Sequence, residues 1–526
     1  MRTSSKWLAL VAFSLSTLVI GLDSTILAVA LPTLARALNA TQSELQWFST
    51  AFLLTVAGGM LPASVIADRA GRKKTLLAAL LIFGGSAFWS AYVTGPGQLI
   101  AARAIMGFAA ALIAVVTLGV IPVMFDSAER GKAVGIMMAA TFLGLPIGPI
   151  LGGWILTNFW WGWVFLMNVP VAGLAFVLVL TLVPESKPDT RDPLDLVGLI
   201  LGVGGLAALC YGFVRAGSNG WADAEALTWI GGGLISLIVV AGWEHHMAAT
   251  GQAPLIPPSL FRARGFTAGT IVPWIGQFAM VGMLFILPLY WQAVRNEDAM
   301  GSGLRLLPLI AGFIVAAALG DPVAKLFGPK AVATGGYLVM AVGVFLGARM
   351  AAPSSDLYMA VWLAIAGLGM GLGLVTAASV ALRNVPADKS NQASAVFQAL
   401  QKTGGPLGAA VLGSALSQAY QQHLVLPANL PGSVADTVKS GVFQGLAVAT
   451  KMPQIGDTVR DAFETGMSTT LWICVGIAIA AALAALALLP GRVDAPDGPA
   501  PDGTEPYGTG PTSAPEPLQS RNLPPQ

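Results

Sequence analysis

The sequence predicts an all-α integral membrane protein of fourteen transmembrane spans, and three observations carry that expectation. Hydrophobic residues make up 55% of the chain and charged residues only 10%, whereas soluble domains usually carry roughly a quarter charged residues. The apolar residues fall in repeated blocks of about twenty, the length a helix needs to cross roughly 30 Å of hydrocarbon. Lys and Arg gather in alternate gaps between those blocks, as the positive-inside rule requires. Helices rather than strands satisfy every backbone group within such a block.

In order, the blocks lie at 8–30, 45–66, 75–94, 98–121, 133–156, 161–183, 196–214, 227–243, 267–291, 304–323, 331–350, 357–378, 391–416 and 467–489. An even count places both termini on one side of the bilayer. Of the 28 Lys and Arg residues, 18 fall on the N-terminal side, from Arg2 and Lys6 to Arg492 and Arg521, and 8 on the other. That bias makes the termini cytoplasmic. Arg103 and Lys402 are the two that lie inside blocks. Arg2 and Lys6 followed by an apolar run ending AVALP imitate a cleaved leader, but Asp23 interrupts the run and Pro32 follows the supposed cut.

Two segments lie outside the blocks. Residues 417–466 form a polar connection long enough to carry helices of its own on the outer face. The tail from Gly491 has nine prolines in 36 residues, with Gly, Asp, Ser and Thr, and is expected to be disordered and cytoplasmic.

Composition excludes several function classes. A net charge of +2 gives no nucleic-acid surface. Cys210 and Cys474 each sit inside an apolar block and His245, His246 and His423 near or beyond block ends, so neither a metal site nor a cofactor is expected. No GxxxxGK[ST] loop is present to drive work by nucleotide hydrolysis, so energy must come from an ion gradient and an enzyme is disfavoured.

The first block raises the central question, because GLDSTILAVALP (21–32) places a carboxylate in a stretch otherwise suited to lipid. A charge at the bilayer centre costs on the order of 3 kcal/mol even on the lenient scale, so one is retained chiefly where it meets a partner or a wet cavity. At 1.5 Å per residue Asp23 lies roughly 22 Å from the inner boundary, in the outer half, and Arg103 roughly 7 Å below the outer boundary. The two are expected to meet. Burial disfavours a charged carboxylate and a nearby guanidinium favours it, so such a group can be moved between its two protonation states by small changes in access. Arg keeps its charge throughout.

Four motifs extend the reading. The gap after the second block, SVIADRAGRKKTLL (64–77), crowds Asp68 against Arg69, Arg72, Lys73 and Lys74 around Gly71, a short turn fit to act as a cytoplasmic gate. The fourth block holds Arg103 and Gly107 in LIAARAIMGFAAA. GLPIGPILGGW (144–154) repeats Gly144, Gly148 and Gly152 every four residues, with Pro149 and Gly153 beside them, making a face on which another helix packs closely. In LDSTILAVALP, Asp23 and Thr25 precede Pro32.

These motifs resemble those of the major facilitator superfamily. Residues 64–74 match G-x-x-x-D-R-x-G-R-[KR]-[KR] except that Ser64 replaces the leading Gly. Arg103 and Gly107 match the fourth-helix motif, with Met106 where Gln is usual. Residues 144–153 look like the G-x-x-x-G-P-x-x-G-G pattern of exporters, and 22–32 is similar to the first-helix motif of the fourteen-span drug:proton antiporters, with Ala28 in place of Asn. The resemblance implies a major facilitator fold of two six-helix bundles plus two additional helices. The expected parts are 1–190, an N-terminal bundle; 191–262, the additional helices with linkers; 263–490, a C-terminal bundle that includes 417–466; and the tail 491–526. A weak internal repeat agrees: LFGPKAVATGGYL echoes RAGRKKTLLAALL, Lys325 takes the place of Asp68, and Gly405-Pro406 fall where Gly148-Pro149 fall.

By this resemblance the chain is a proton-coupled antiporter in the cell membrane that exports amphiphilic or cationic small molecules by alternating access. It acts as a monomer whose partners are substrate, protons and lipid. Asp23 and Arg103 would couple protons. Trp274, Gln277 and Phe278 of the ninth block, and Gln398, Gln401 and Lys402 of the thirteenth, are the expected substrate contacts, since aromatic faces attract cations and adapt to apolar ligands. A dedicated exporter of one endogenous product, such as an antibiotic, siderophore or lipid, is the close competitor. A non-transporting receptor or scaffold is a more distant one.

Overall fold

The computed structural model describes residues 3–125, 127–185, 195–252, 254–350, 354–383, 390–427 and 430–490. The tail 491–526, the boundary drawn at 190–191 and the counted charges Arg2, Lys187, Arg191 and Lys389 lie outside them. Among the described residues the regular elements are all helices: α1 (Thr3–Ala37), α2 (Gln42–Ala70), α3 (Arg72–Ala91), α4 (Pro96–Met124), α5 (Ser127–Asn158), α6 (Trp163–Leu166), α7 (Asn168–Leu182), α8 (Leu196–Asn219), α9 (Ala224–Ala249), α10 (Arg264–Ala293), α11 (Ala299–Phe327), α12 (Pro329–Ala348), α13 (Asp356–Arg383), α14 (Ser390–His423), α15 (Gly432–Lys439), α16 (Val442–Ala449) and α17 (Gly456–Leu488). Twelve stretches of the described residues are helices long and apolar enough to cross a membrane. Helices α5 and α14, of 32 and 34 residues, stand at the fifth and thirteenth predicted spans but are not among the twelve.

Local chemistry sets the ends. A reciprocal capping box opens α2, the Thr41 N–H donating to Glu44 Oε2 at 2.7 Å while the Glu44 N–H donates to Thr41 Oγ1 at 3.3 Å. Asp195, Asp223 and Asp298 accept from backbone N–H groups in the first turns of α8, α9 and α11. Gly71, at φ 99°, both ends α2 and opens α3, and Gly328, at φ 83°, does the same between α11 and α12. Those positive angles strain any residue with a Cβ, which is why the internal repeat keeps glycine there.

The repeat recurs in the packing. Pairs α1–α5, α2–α4, α3–α4, α1–α7 and α3–α7 have counterparts in α10–α14, α11–α13, α12–α13, α10–α17 and α12–α17. Across the two sets, α5 meets α11 and α2 meets α14. Helix α8 touches both sets, through α2 and α14, and α9 packs chiefly on α8.

The apolar cores are not divided the same way at the two ends of the helices. Toward the predicted outer side one cluster unites the end of α1 (Leu22 to Leu38), Leu45 and Phe48 of α2 and Ile155 of α5 with residues of α10 to α17. Toward the predicted inner side the described residues form separate clusters. One belongs to the first set with Ala399 as its contribution from the second, and a small one joins Leu260, Phe266, Ala381, Ala393, Val396 and Phe397. The structure is therefore closed between the sets at the end where α1 terminates.

Two elements add detail to the sequence expectation. The sixth span runs as α6 and α7 with Met167 between them in helical conformation, one continuous crossing over Trp163–Leu182. The polar segment 417–466 is mostly helical: α14 runs on to His423, α15 and α16 follow, and α17 begins at Gly456, well before the predicted span at 467. Val438, Val442 and Phe443 are buried, which supplies the apolar anchor that the segment's polar average conceals.

Candidate functional site

Asp23 and Arg103 meet, as the depth estimate allowed. Arg103 Nη1 donates to Asp23 Oδ2 at 2.5 Å, and both residues are buried, at 1% and 2% exposure. Other parts of the guanidinium are also engaged. Its Nε donates to the Phe48 carbonyl at 3.2 Å, its plane lies 4.2 Å from the Phe52 ring centroid, and Nη1 is 3.7 Å from Met106 Sδ. Glycine makes this approach possible: a Cβ on Gly107 would fall on the Phe52 carbonyl and on Thr55 Oγ1 of α2. Without that close contact of α4 with α2, Arg103 would not reach Phe48. A buried ion pair stabilises only when such extra hydrogen bonds offset the cost of removing both charges from water.

The second carboxylate oxygen has a partner the sequence reading did not name. Asn168 Nδ2, in the first turn of α7, donates to Asp23 Oδ1 at 3.2 Å, and Asn168 is wholly buried. A signal was present: Asn168 is an amide in an otherwise apolar block, and seven residues into an inward-running span it lies roughly 10 Å below the outer boundary, at the depth of Arg103.

The glycine face of α5 packs on the helix that carries Asp23. A Cβ on Gly144 would stand 3.0 Å from the backbone of Gly21 and Leu22, one on Gly152 would stand 3.3 Å from Ile26, and one on Gly148 would overlap Thr25. The Thr25 hydroxyl lies 3.3 Å from the Gly144 carbonyl across this seam. The opposite side of α5 meets the second set, with the Met300 backbone 2.6 Å from a Cβ on Gly153 and the Pro149 carbonyl where a Cβ on Gly303 would be. Helix α5 is thus held between α1 and α11.

At the other end of α2, Asp68 accepts from Arg72 Nη2 at 3.4 Å, while Arg72 Nη1 donates to the Gly119 carbonyl of α4 at 2.5 Å. The Gly71 turn is seated on Glu185, whose Oε1 accepts from the Lys73 N–H at 3.1 Å. Arg69 is exposed at the end of α2. Arg72 thus pairs with Asp68, and Glu185, which no motif flagged, completes the turn.

The expected substrate contacts of the second set are partly brought together. Trp274 Nε1 donates to Thr403 Oγ1 at 2.9 Å, its ring centroid is 6.0 Å from that of Phe278, and both rings pack beside α14 and α8. Gln398 donates to Ser394 Oγ at 3.5 Å. Gln277, Gln401 and Lys402 are half-buried, and Lys402 makes no hydrogen bond or ion pair with the described residues. None of the six lines a small apolar void of about 20 Å³ between the sets. That void is formed by Thr25 of α1, Met280 and Leu284 of α10, Leu309, Ile310 and Phe313 of α11 and Met370 of α13. Among the described residues no group of three or more His, Cys, Asp or Glu is placed to hold a metal.

Comparison with known proteins follows the same lines. The family model described as Major Facilitator Superfamily matches residues 13–409. The chain is similar to the puromycin resistance protein pur8 of Streptomyces alboniger, at 30% identity over 84% of this chain and 88% of that one. It is similar to the tetracenomycin C resistance and export protein of Streptomyces glaucescens, at 28% identity over 91% of each. The multidrug efflux pump LfrA of Mycolicibacterium smegmatis is 28% identical over 91% of this chain and 96% of its own length. Among solved structures, a bacterial homolog of the human lysosomal transporter Spinster superposes with a TM-score of 0.67 at 16% identity, over 94% of this chain and all of that one.

Proposed function

The chain belongs to the major facilitator superfamily, and from that premise we propose that it is a proton-coupled antiporter exporting amphiphilic or cationic drugs by alternating access. The buried Asp23–Arg103 pair carries this reading. It is an ionisable group held deep in a membrane bundle, paired with a cation that keeps its own charge, on a helix that also lines the cavity between the two sets. Loss of the Asp23 charge frees Arg103 from its counter-ion and removes a contact between α1 and α4. Proton uptake therefore changes how α1 is held. Drug export as the outcome is supported by the relatives, which are resistance and efflux proteins.

The architecture that serves this cycle is two six-helix bundles, 1–190 and 263–490, with α8 and α9 added between them. The added pair falls within 191–262. We include α5 and α14 among the spans, which brings the count to fourteen, because each packs along helices that are long and apolar enough to cross. Both termini are then cytoplasmic and the protein sits in the cell membrane as a monomer. The seam at the end of α1 is the outer gate, closed in this structure, and the Asp68–Arg72 turn belongs to the inner one.

A second reading is a dedicated exporter of one endogenous product. It is favoured by relatives whose names each carry a single antibiotic. One experiment separates the two and tests both. Purified chain is reconstituted in proteoliposomes, ethidium is added, and proton release is followed in parallel with Asp23→Asn at matched reconstitution. The expected outcome is ethidium-driven proton release that vanishes in Asp23→Asn while ethidium still binds. Release that persists in Asp23→Asn sinks the proton-coupling role of that residue. A chain that neither binds ethidium nor moves protons favours the dedicated exporter.

A further inference from the structure

The amide of Asn168 has one end engaged and one end idle. Nδ2 donates to Asp23 Oδ1 at 3.2 Å, and Asn168 Oδ1 is fully buried with no hydrogen-bond partner among the described residues. Asp23 Oδ2 is taken by Arg103. The ion pair is therefore finished on one side by a strong charge-assisted bond and on the other by an amide that nothing else among the described residues holds at either end.

An amide carries a donor and an acceptor of nearly the same size on one planar group, so a half-turn exchanges them without changing the space the side chain fills. Toward an ionised carboxylate, which only accepts, the amide must present its N–H. That is the arrangement seen. Toward a protonated carboxyl, which carries an O–H, it can present its oxygen instead. In each arrangement one amide end points at Asp23 and the other is unengaged. The surroundings then favour neither, and the charge of Asp23 decides.

Building on the proton-coupling reading above, we propose that Asn168 is a positioning residue that holds Asp23 in both protonation states by reversing its amide. When a proton from water adds to Asp23 Oδ1, the new O–H bond donates to Asn168 Oδ1, and the Nδ2–H bond to the carboxylate is given up. Arg103 keeps its charge, its bond to the Phe48 carbonyl and its place over the Phe52 ring. The neutral carboxyl thus remains fixed while its ion pair loosens, and α7 stays attached to α1 through the step that releases α4. Asn168 lies near the outer end of the continuous helical span Trp163–Leu182, so the attachment acts close to the end of that span.

The test reads the amide itself. Acid-minus-neutral infrared difference spectra are recorded on the full chain in lipid, with asparagine carrying a carbon-13 side-chain carbonyl, for the unmodified protein, Asp23→Asn and Asn168→Leu. The expected result is a carboxyl band that grows on acidification together with a shift of a labelled amide band, both lost in Asp23→Asn. In Asn168→Leu the amide shift disappears and the carboxyl band moves to the higher frequency of a less hydrogen-bonded acid. A carboxyl band that depends on Asp23 while no labelled amide band moves would overturn the role of Asn168 and leave the coupling reading standing. Absence of any Asp23-dependent carboxyl band would overturn both. If Asn168→Leu fails to fold, Asn168→Ser makes the same assignment, and a merely structural asparagine leaves every labelled amide band in place while the Asp23-dependent carboxyl band still grows.

Discussion

At the scale of single residues the Asp23–Arg103 contact sets an order of consequences. Truncating Arg103 to Ala strands a buried carboxylate and opens a space beside Phe52, and breaking a buried pair from one side costs about 3–5 kcal/mol. Asp23→Asn is milder, because Arg103 keeps the Phe48 carbonyl and the Phe52 ring. Replacing both with Leu removes both desolvation costs. Thermal unfolding of the purified chain in detergent is expected to rank Arg103→Ala as the least stable, with the double variant closer to the unmodified protein than Arg103→Ala alone, although it transports nothing. A double variant as unstable as Arg103→Ala would show that packing around the guanidinium, and not its charge, is what the pair supplies. Both residues were legible in the sequence because an intramembrane charge is expensive, and helix rise alone brought them to one depth. Asn168 was not, since an uncharged amide in an apolar run raises no comparable alarm and its depth has meaning only once Asp23 is known to need a second partner. The substrate contacts of the second set remain a proposal, and the void between the sets draws on neighbouring residues of the same helix. Aromatic residues in the ninth block drew attention to Trp274 and Phe278, while the cavity is lined from the same helix by Met280 and Leu284, which composition does not distinguish from lipid-facing residues.

At the scale of the helix, α5 shows how far a repeat of small residues can be read. Glycines at every fourth position predicted one close-packed face, and the structure supplies its partner, α1, together with the contacts of Pro149 and Gly153 to α11 that spacing could not assign. The seam yields a quantitative expectation. A methyl group at Gly148 overlaps the Thr25 side chain and stands 3.2 Å from the Leu22 carbonyl, and overpacking of this kind costs about 1–3 kcal/mol. Gly148→Ala should lower the thermal midpoint in detergent, and Thr25→Ala in the same chain should recover most of the loss, because its side chain is the nearest obstacle. Thermal midpoints of the two single variants and the double measure that coupling directly. An unchanged midpoint in Gly148→Ala would mean that α1 and α5 can separate at no cost. The segment 417–466 is a different case, where length allowed helices of its own but polar composition gave no sign of where they are anchored. Phe443 nevertheless sits under the Arg36 guanidinium, 5.5 Å from its ring centroid, and the Gln42 N–H donates to the Ser440 carbonyl at 3.0 Å. Those few anchors tie α16 and its approach to the α1–α2 turn, and few anchors are invisible to an average.

At the scale of the whole molecule, alternating access requires that a seam closed in one state be opened in the other. The two-fold repeat was legible in the segments that hold Gly71 and Gly328, because a positive φ admits little but glycine, while the helix pairs within each set came only with the structure. It could not say which end of the seam is closed, since the same sequence must support both states. The closed end here is crossed by α8, which touches α2 where the hydroxyls of Ser43 and Ser218 meet and α14 where the backbone of Ser414 stands 2.5 Å from a Cβ on Gly217. Ser414 Oγ also donates to the Phe213 carbonyl at 2.6 Å. The backbone contact with α14 is the tighter, so α8 should travel with the second set and the Ser43–Ser218 contact should be the one that opens. Cysteines at those two positions, whose side chains already touch, are placed to form a disulfide, and the native Cys210 and Cys474 are buried away from it. Ser43→Cys with Ser218→Cys should therefore halt ethidium-driven proton release in proteoliposomes under oxidising conditions and recover it on adding a reductant, while each single variant stays active. Release that continues through the cross-link would place α8 with the first set and move the sliding seam to its contact with α14.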